Sequence, residues 1–278
     1  MNLTAENALV AAVAIEYTPT VTLTPQQVAF FHENGFLTLD PITDETELSR
    51  LRAAYDRIFA DRAGREKGDQ FDLGGADEEG KEAALPQILG PSQYAPEMKH
   101  GLFRANALSV VRQLLGDGAN ATGEHAIYKP AGVGAATPWH QDEAYWNPAL
   151  NYNAVSVWMP LQEATVENGC LWFVPGSHRG EVMGHQPIGG DARVHGLEML
   201  VAETGSAVAC PLKPGGVTIH ANRTLHYAGP NTSGTPRRAL ILMFGAESSP
   251  RDTPRRFPWN EIKQTARAER AKAASGDA

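Results

Sequence analysis

Between Ala121 and Gly245 the sequence breaks into short runs of strand-forming residues separated by glycine and proline, a texture that few architectures accept. The runs are His125–Tyr128, Ala154–Met159, Leu171–Val174, Val217–His220 and Ala239–Phe244. The punctuation is Lys129-Pro130-Ala131-Gly132, Pro175-Gly176-Ser177, Pro214-Gly215-Gly216 and Asn231-Thr232-Ser233-Gly234. Many short strands bounded by turn residues indicate a sandwich or barrel. The upstream part reads differently. Thr24-Pro25-Gln26-Gln27 combines a capping threonine, a proline at the first helical position and a glutamine three residues after the cap, and Asn34-Gly35 stops that helix. Phe36–Leu39 follows as a short strand, and Leu48, Leu51, Tyr55, Ile58 and Phe59 recur at helical spacing over Asp44–Arg62. Another helical segment spans about Ala95–Leu115. Residues 63–84, with five glycines among charged positions, predict a long mobile loop.

Helices first and strands after predict one domain, α+β or mainly β: a jelly roll or barrel braced by helices on one side. Residues 1–23 read as an irregular lead-in, 24–120 as the mainly helical part, 121–245 as the β core and 246–278 as a polar, basic tail with a surface helix near Asn260–Ala274. With 278 residues, 42% of them hydrophobic, the chain can bury a sizeable core without staples. Its 24 basic and 32 acidic residues give a net charge of −8, which counts against nucleic acid or an anionic membrane surface as partner. No stretch approaches the roughly 20 apolar residues of a membrane span. The apolar run Ala8–Ile15 follows Glu6 and no Lys or Arg, so it does not read as an export signal. Cys170 and Cys210 make no disulfide framework. The expected location is the cytoplasm.

The chemistry centres on Thr137-Pro138-Trp139-His140-Gln141-Asp142. On an extended segment, residues two apart share a face, so His140 and Asp142 present an imidazole and a carboxylate to one point. Two imidazoles and one carboxylate leave metal positions open, which suits non-haem iron(II) and oxygen chemistry. A lone His-x-acid triplet is weak, because a chain with 9 His and 32 acids produces one by chance. A second imidazole must come from elsewhere; His226 is a candidate, and Arg237 follows it eleven residues later with the turn-forming Asn231-Thr232 midway. A hairpin about that turn would make His226 and Arg237 cross-strand neighbours, with the planar fork of Arg237 set to hold a carboxylate. Arg237 is favoured over Arg238, although one bulge would exchange them.

Together these blocks resemble the phytanoyl-CoA dioxygenase family, iron(II)- and 2-oxoglutarate-dependent oxygenases on a double-stranded β-helix (jelly-roll, cupin-like) core. The resemblance runs from about Thr24 to Gly245 and includes Gln26 to Phe36, Thr137 to Asp142, Val157-Trp158-Met159-Pro160-Leu161, Glu167-Asn168-Gly169-Cys170-Leu171, Val174 to His178, His226 to Asn231, and Arg237 to Leu240. It implies that His140, Asp142 and His226 ligate iron(II) and that Arg237 binds the far carboxylate of 2-oxoglutarate. Dioxygen would be consumed, an unactivated C–H of a small molecule hydroxylated, and succinate and CO2 released. Trp158, sixteen residues past Asp142, matches a family tryptophan lining the cosubstrate pocket. Gln87, Tyr128 and Gln141 are further candidates beside the cosubstrate, and Tyr145 and Trp146 for the substrate wall. His178, His185 and His195 are expected in solvated loops and His220 in a structural role. The segments 63–84 and 178–205 are expected to close over the substrate. Desaturation or cyclisation in natural-product biosynthesis is the alternative reaction; halogenation would need the carboxylate ligand absent. From other classes, the rivals are a non-catalytic jelly-roll binding module, which would lack a ligand or the arginine, and a cupin-like Mn or Zn enzyme that does not use 2-oxoglutarate.

Overall fold

Thr24 caps helix α1 (Pro25–Asn34) in a complete capping box with Gln27, and Gly35, at φ 80°, closes it by donating its N–H to Phe31. The chain enters strand β1 (Phe36–Leu39) at once. The Asp44 carboxylate accepts from the Glu47 N–H and starts helix α2 (Glu45–Ala60), which buries Leu48, Leu51, Ala54, Tyr55 and Ile58. Each of the leucines and the isoleucine contributes about 2 kcal/mol of burial. The computed structural model describes residues 17–132, 135–201 and 203–276. The first sixteen residues of the expected lead-in, with the run Ala8–Ile15, lie outside them.

Residues 63–84 differ from expectation. They hold a short 3-10 turn, Arg65–Lys67, and strand β2 (Gln70–Asp72), paired with β3 (Pro86–Leu89). Asp72 accepts from the backbone of Gly74, Ala84 and Leu85 at 2.9–3.0 Å. Asp72 and Asp77 serve as backbone anchors, which is why the loop is not free. The expected 95–115 helix is also split. Pro96–Met98 forms its own turn, and helix α3 (Leu102–Leu115) begins only after Gly101, where a Cβ would collide with the Glu47 carboxylate.

The β core adds β4 (Asn120–Lys129), β5 (Thr137–His140), β6 (Ala154–Pro160), β7 (Leu171–Phe173), β8 (Val208–Cys210), β9 (Val217–Ala221), β10 (His226–Ala228) and β11 (Arg237–Gly245). They form two antiparallel sheets, a seven-stranded one in the order β1-β9-β6-β11-β4-β3-β2 and a four-stranded one in the order β8-β7-β10-β5. This is a jelly roll. Strand alternation divides its core. Leu240, Leu242, Val157, Val217 and Ile219 face the helices, while Ala239, Ile241, Trp158, Phe173 and Ala228 pack between the sheets.

His226 and Arg237 are not hairpin neighbours. β10 pairs with β5 and β7 in the small sheet, whereas β11 pairs with β4 and β6 in the large one. Asn231 holds the crossing, donating from Nδ2 to the carbonyls of Lys129 (3.1 Å) and Thr235 (2.8 Å). A turn signal marks a reversal of direction but not whether the chain stays in one sheet.

The tail is a strap across the barrel mouth. Trp259 Nε1 donates to the Ala144 carbonyl at 2.9 Å, and Lys263 Nζ donates to that of His195 at 2.8 Å. Helix α4 (Ala266–Ser275) lies on the 65–67 turn. Gly68 (φ 76°) permits this, since a Cβ there would sit 2.3 Å from the Arg267 carbonyl oxygen. Arg65, at 2.9 Å, and Arg270 both grip the Asp77 carboxylate. Among the described residues no helix is long and apolar enough to cross a membrane.

Candidate active site

The two inner sheet faces enclose a cavity of about 220 Å³. His140 ends β5 and His226 begins β10, directly opposite in register. Gln141 keeps the chain extended (φ −121°, ψ 132°) before Asp142 opens a 3-10 turn, so His140 and Asp142 share a face. The ligating atoms of His140, Asp142 and His226 lie within 4.8 Å of one another. Each imidazole is oriented from behind. His140 Nδ1 donates to the Pro138 carbonyl at 2.7 Å and His226 Nδ1 to that of Thr224 at 2.9 Å. A carbonyl only accepts, so the hydrogen sits on Nδ1 and both Nε2 lone pairs face Asp142. Burial lowers both imidazole pKa values. Burial alone would raise the Asp142 carboxyl, but the surrounding imidazoles, His226 foremost, outweigh it and hold the group well below its ordinary range. Neutral imidazoles and an ionised carboxylate are the forms that bind metal.

Arg237 stands at the first position of β11 and is 1% exposed. Its guanidinium lies 5.3 Å from the Trp158 ring centroid, Nη1 donates to the Ile127 carbonyl at 3.3 Å, and Nε has no partner. No acid pairs with it among the described residues. Burial lowers its pKa only to about 10, so it remains a cation at neutral pH. A buried cation without an anion is costly unless a ligand supplies one. Arg238 turns outward and pairs bidentately with Asp56 at 2.6 and 3.0 Å. Gln87, Trp158, Tyr145 and Trp146 line the cavity.

Two sequence candidates fall elsewhere. Tyr128 faces the helices, its ring 5.5 Å from that of Phe59; its neighbour Ile127 takes the cavity position, because a one-residue phase error flips a strand side chain to the other face. Gln141 points away from the cavity, accepting from Met183 N–H and donating to the Arg223 carbonyl, both at 2.8 Å. Other residues were missed. His220, Ser156, His125 and His195 line the cavity. His220 was legible: Val217 and Ile219 alternate with Thr218 and His220, marking the latter pair as inward.

His185 and His195 are not solvated. Burial drives their pKa values to about 4 and about 3. An unfolded imidazole titrates near 6.5, so below that pH the unfolded chain binds protons that the folded protein refuses. Each group should then cost about 3 kcal/mol at pH 4. The metal-free protein's melting temperature is expected to fall steeply from pH 6.5 to 4, and a flat profile would contradict neutral burial.

Comparison with known proteins places this geometry. The sequence pattern of the family described as phytanoyl-CoA dioxygenase matches residues 31–239. A probable alpha-ketoglutarate-dependent hypophosphite dioxygenase of Stutzerimonas stutzeri is 32% identical over 58% of the chain, which spans 57% of that relative's length. An ectoine dioxygenase of Sphingopyxis alaskensis is 26% identical over 86% of the chain and 81% of its own. Among solved structures, EvdO2 from Micromonospora carbonacea var. aurantiaca is 41% identical with a TM-score of 0.75, covering 87% of this chain and 98% of that one, and it has also been solved with 2-oxoglutarate. The chain belongs to the phytanoyl-CoA dioxygenase family of iron(II)- and 2-oxoglutarate-dependent oxygenases.

Proposed function

We propose that the enzyme hydroxylates an unactivated C–H bond of a small molecule, converting 2-oxoglutarate and dioxygen to succinate and CO2 as the C–H becomes C–OH. His140, Asp142 and His226 would hold the iron, and Arg237 the far carboxylate of 2-oxoglutarate. The observation carrying this reading is a fully buried, acid-free guanidinium on the wall of the same cavity as a His-Asp-His set with both Nε2 atoms free. Iron, 2-oxoglutarate and dioxygen together would supply the oxidant. The protein's part is geometric: carbonyls behind His140 and His226 fix the ligand tautomers, Arg237 on Trp158 sets the cosubstrate's direction, and the sheets exclude water. Gln87 would meet the cosubstrate from β3. Asp142 supports hydroxylation over halogenation. Among the described residues Arg237 is the sole Lys or Arg lining the cavity, which favours a substrate without a CoA diphosphate.

Anaerobic addition of iron(II) and 2-oxoglutarate is expected to give a weak visible charge-transfer band. Its absence from folded protein would sink the reading. A screen of small metabolites for substrate-stimulated succinate, with matching hydroxylated product, then identifies the substrate.

A further inference from the structure

Asp142 has two carboxylate oxygens, and only one faces the ligand imidazoles. Oδ1 lies 3.8 Å from His140 Nε2 and 3.6 Å from His226 Nε2. Oδ2 turns the other way, accepting from Ser156 Oγ at 2.7 Å and from His220 Nε2 at 3.2 Å. Sheet register sets both donors. His220 on β9 is the direct partner of Ser156 on β6, and directly opposed residues project to the same face. Both are nearly fully buried on the cavity wall.

The surroundings of His220 show that packing does not explain it. Its Nε2 lies at hydrogen-bond distance from Oδ2, while its Nδ1 is buried without a partner. The Phe173 ring lies 5.3 Å away and the partner on the other flank, on β1, is Phe36. By burial alone an aromatic hydrocarbon would suit the position better, since it would leave no orphaned polar atom. What the imidazole adds is the hydrogen bond to Oδ2.

We propose that Ser156 and His220 are positioning residues for the metal centre: they occupy Oδ2, so that Asp142 offers iron a single oxygen. Two imidazoles and one carboxylate oxygen then use three positions and leave the rest to 2-oxoglutarate and dioxygen. A carboxylate free to swing would compete for one of them. This inference rests on Asp142 being an iron ligand, as proposed above.

The test compares Ser156→Ala and His220→Phe, which delete one donor each, with Ser156→Thr and His220→Gln, which keep one. Anaerobic titration gives each variant's iron(II) dissociation constant, and the charge-transfer band with 2-oxoglutarate reports the ligand field. Ser156→Ala and His220→Phe are expected to weaken iron(II) binding about tenfold or more, and the donor-keeping pair to recover most of that loss. Unchanged affinity in both deletions overturns the proposal, and so does a loss that Thr and Gln fail to recover. Should His220→Phe not fold, the two Ser156 variants decide alone. Asp142→Ala separates the two claims. If it binds iron(II) as tightly as the parent, the metal site itself is misassigned; if it loses iron(II) while both deletions keep full affinity, only the positioning role fails.

Discussion

Asp142→Ala is expected to abolish iron(II) binding and, with it, any succinate release in the absence of substrate. Loss of a residue that merely orients a metal ligand costs 10- to 100-fold in affinity, so loss of a ligand should exceed about a hundredfold. The substitution also strips Ser156 Oγ and His220 Nε2 of their shared acceptor. Each orphaned donor would cost about 1–3 kcal/mol, partly offset by removal of a buried anion. Asp142→Asn separates the two effects, because the amide oxygen can still accept those hydrogen bonds while a neutral amide is a poor metal ligand. Both variants should fail to bind iron(II), with the asparagine protein melting closer to the parent. Succinate release at the parental rate from the alanine variant would remove Asp142 from the metal centre.

Arg237→Leu should raise the KM for 2-oxoglutarate by about a hundred- to a thousandfold, the equivalent of about 3–4 kcal/mol for removing one partner of a buried charge pair. Stability should move the opposite way. With no acid to pair with among the described residues, the guanidinium is a burden on the metal-free fold, so the leucine protein is expected to melt no lower than the parent. The combination of lost affinity and retained stability is what distinguishes a ligand-binding cation from a structural one. Arg238→Ala is the control: it breaks a partly exposed pair with Asp56, worth about 0–1 kcal/mol, and should leave the KM alone. A parental KM in Arg237→Leu would refute the assignment.

The features legible in the sequence were those with local causes. The Thr24 cap, the α2 stripe and the strand runs each depend on neighbours a few residues away, and each appears where its pattern put it. Thr137–Asp142 was legible for the same reason, since one extended residue separates imidazole from carboxylate. What failed depends on non-local pairing. The supposed 226–237 hairpin was a crossing between sheets, because turn chemistry at Asn231 is satisfied either way. Arg237 nonetheless faces the cavity, as the first inward position of β11 rather than as a hairpin partner of His226. Tyr128 was assigned one residue out of phase, and 63–84 read as a mobile loop because Arg270, the partner of Asp77, lies nearly two hundred residues away.

The strap formed by the chain's end has a bearing on how selectivity is encoded. Lys263 rests 4.8 Å from the Tyr145 ring centroid and Arg267 5.1 Å from that of Phe71, so the rim around Tyr145 and His195 is shaped by residues that contribute no metal ligand. The residues proposed to hold iron and 2-oxoglutarate stand at the end of β5, just after it, and at the starts of β10 and β11, whereas Lys263 and Arg267 belong to the strap after Phe257. Chimeras that exchange the segment after Phe257 between relatives are expected to alter substrate preference while leaving the proposed iron and 2-oxoglutarate residues unchanged.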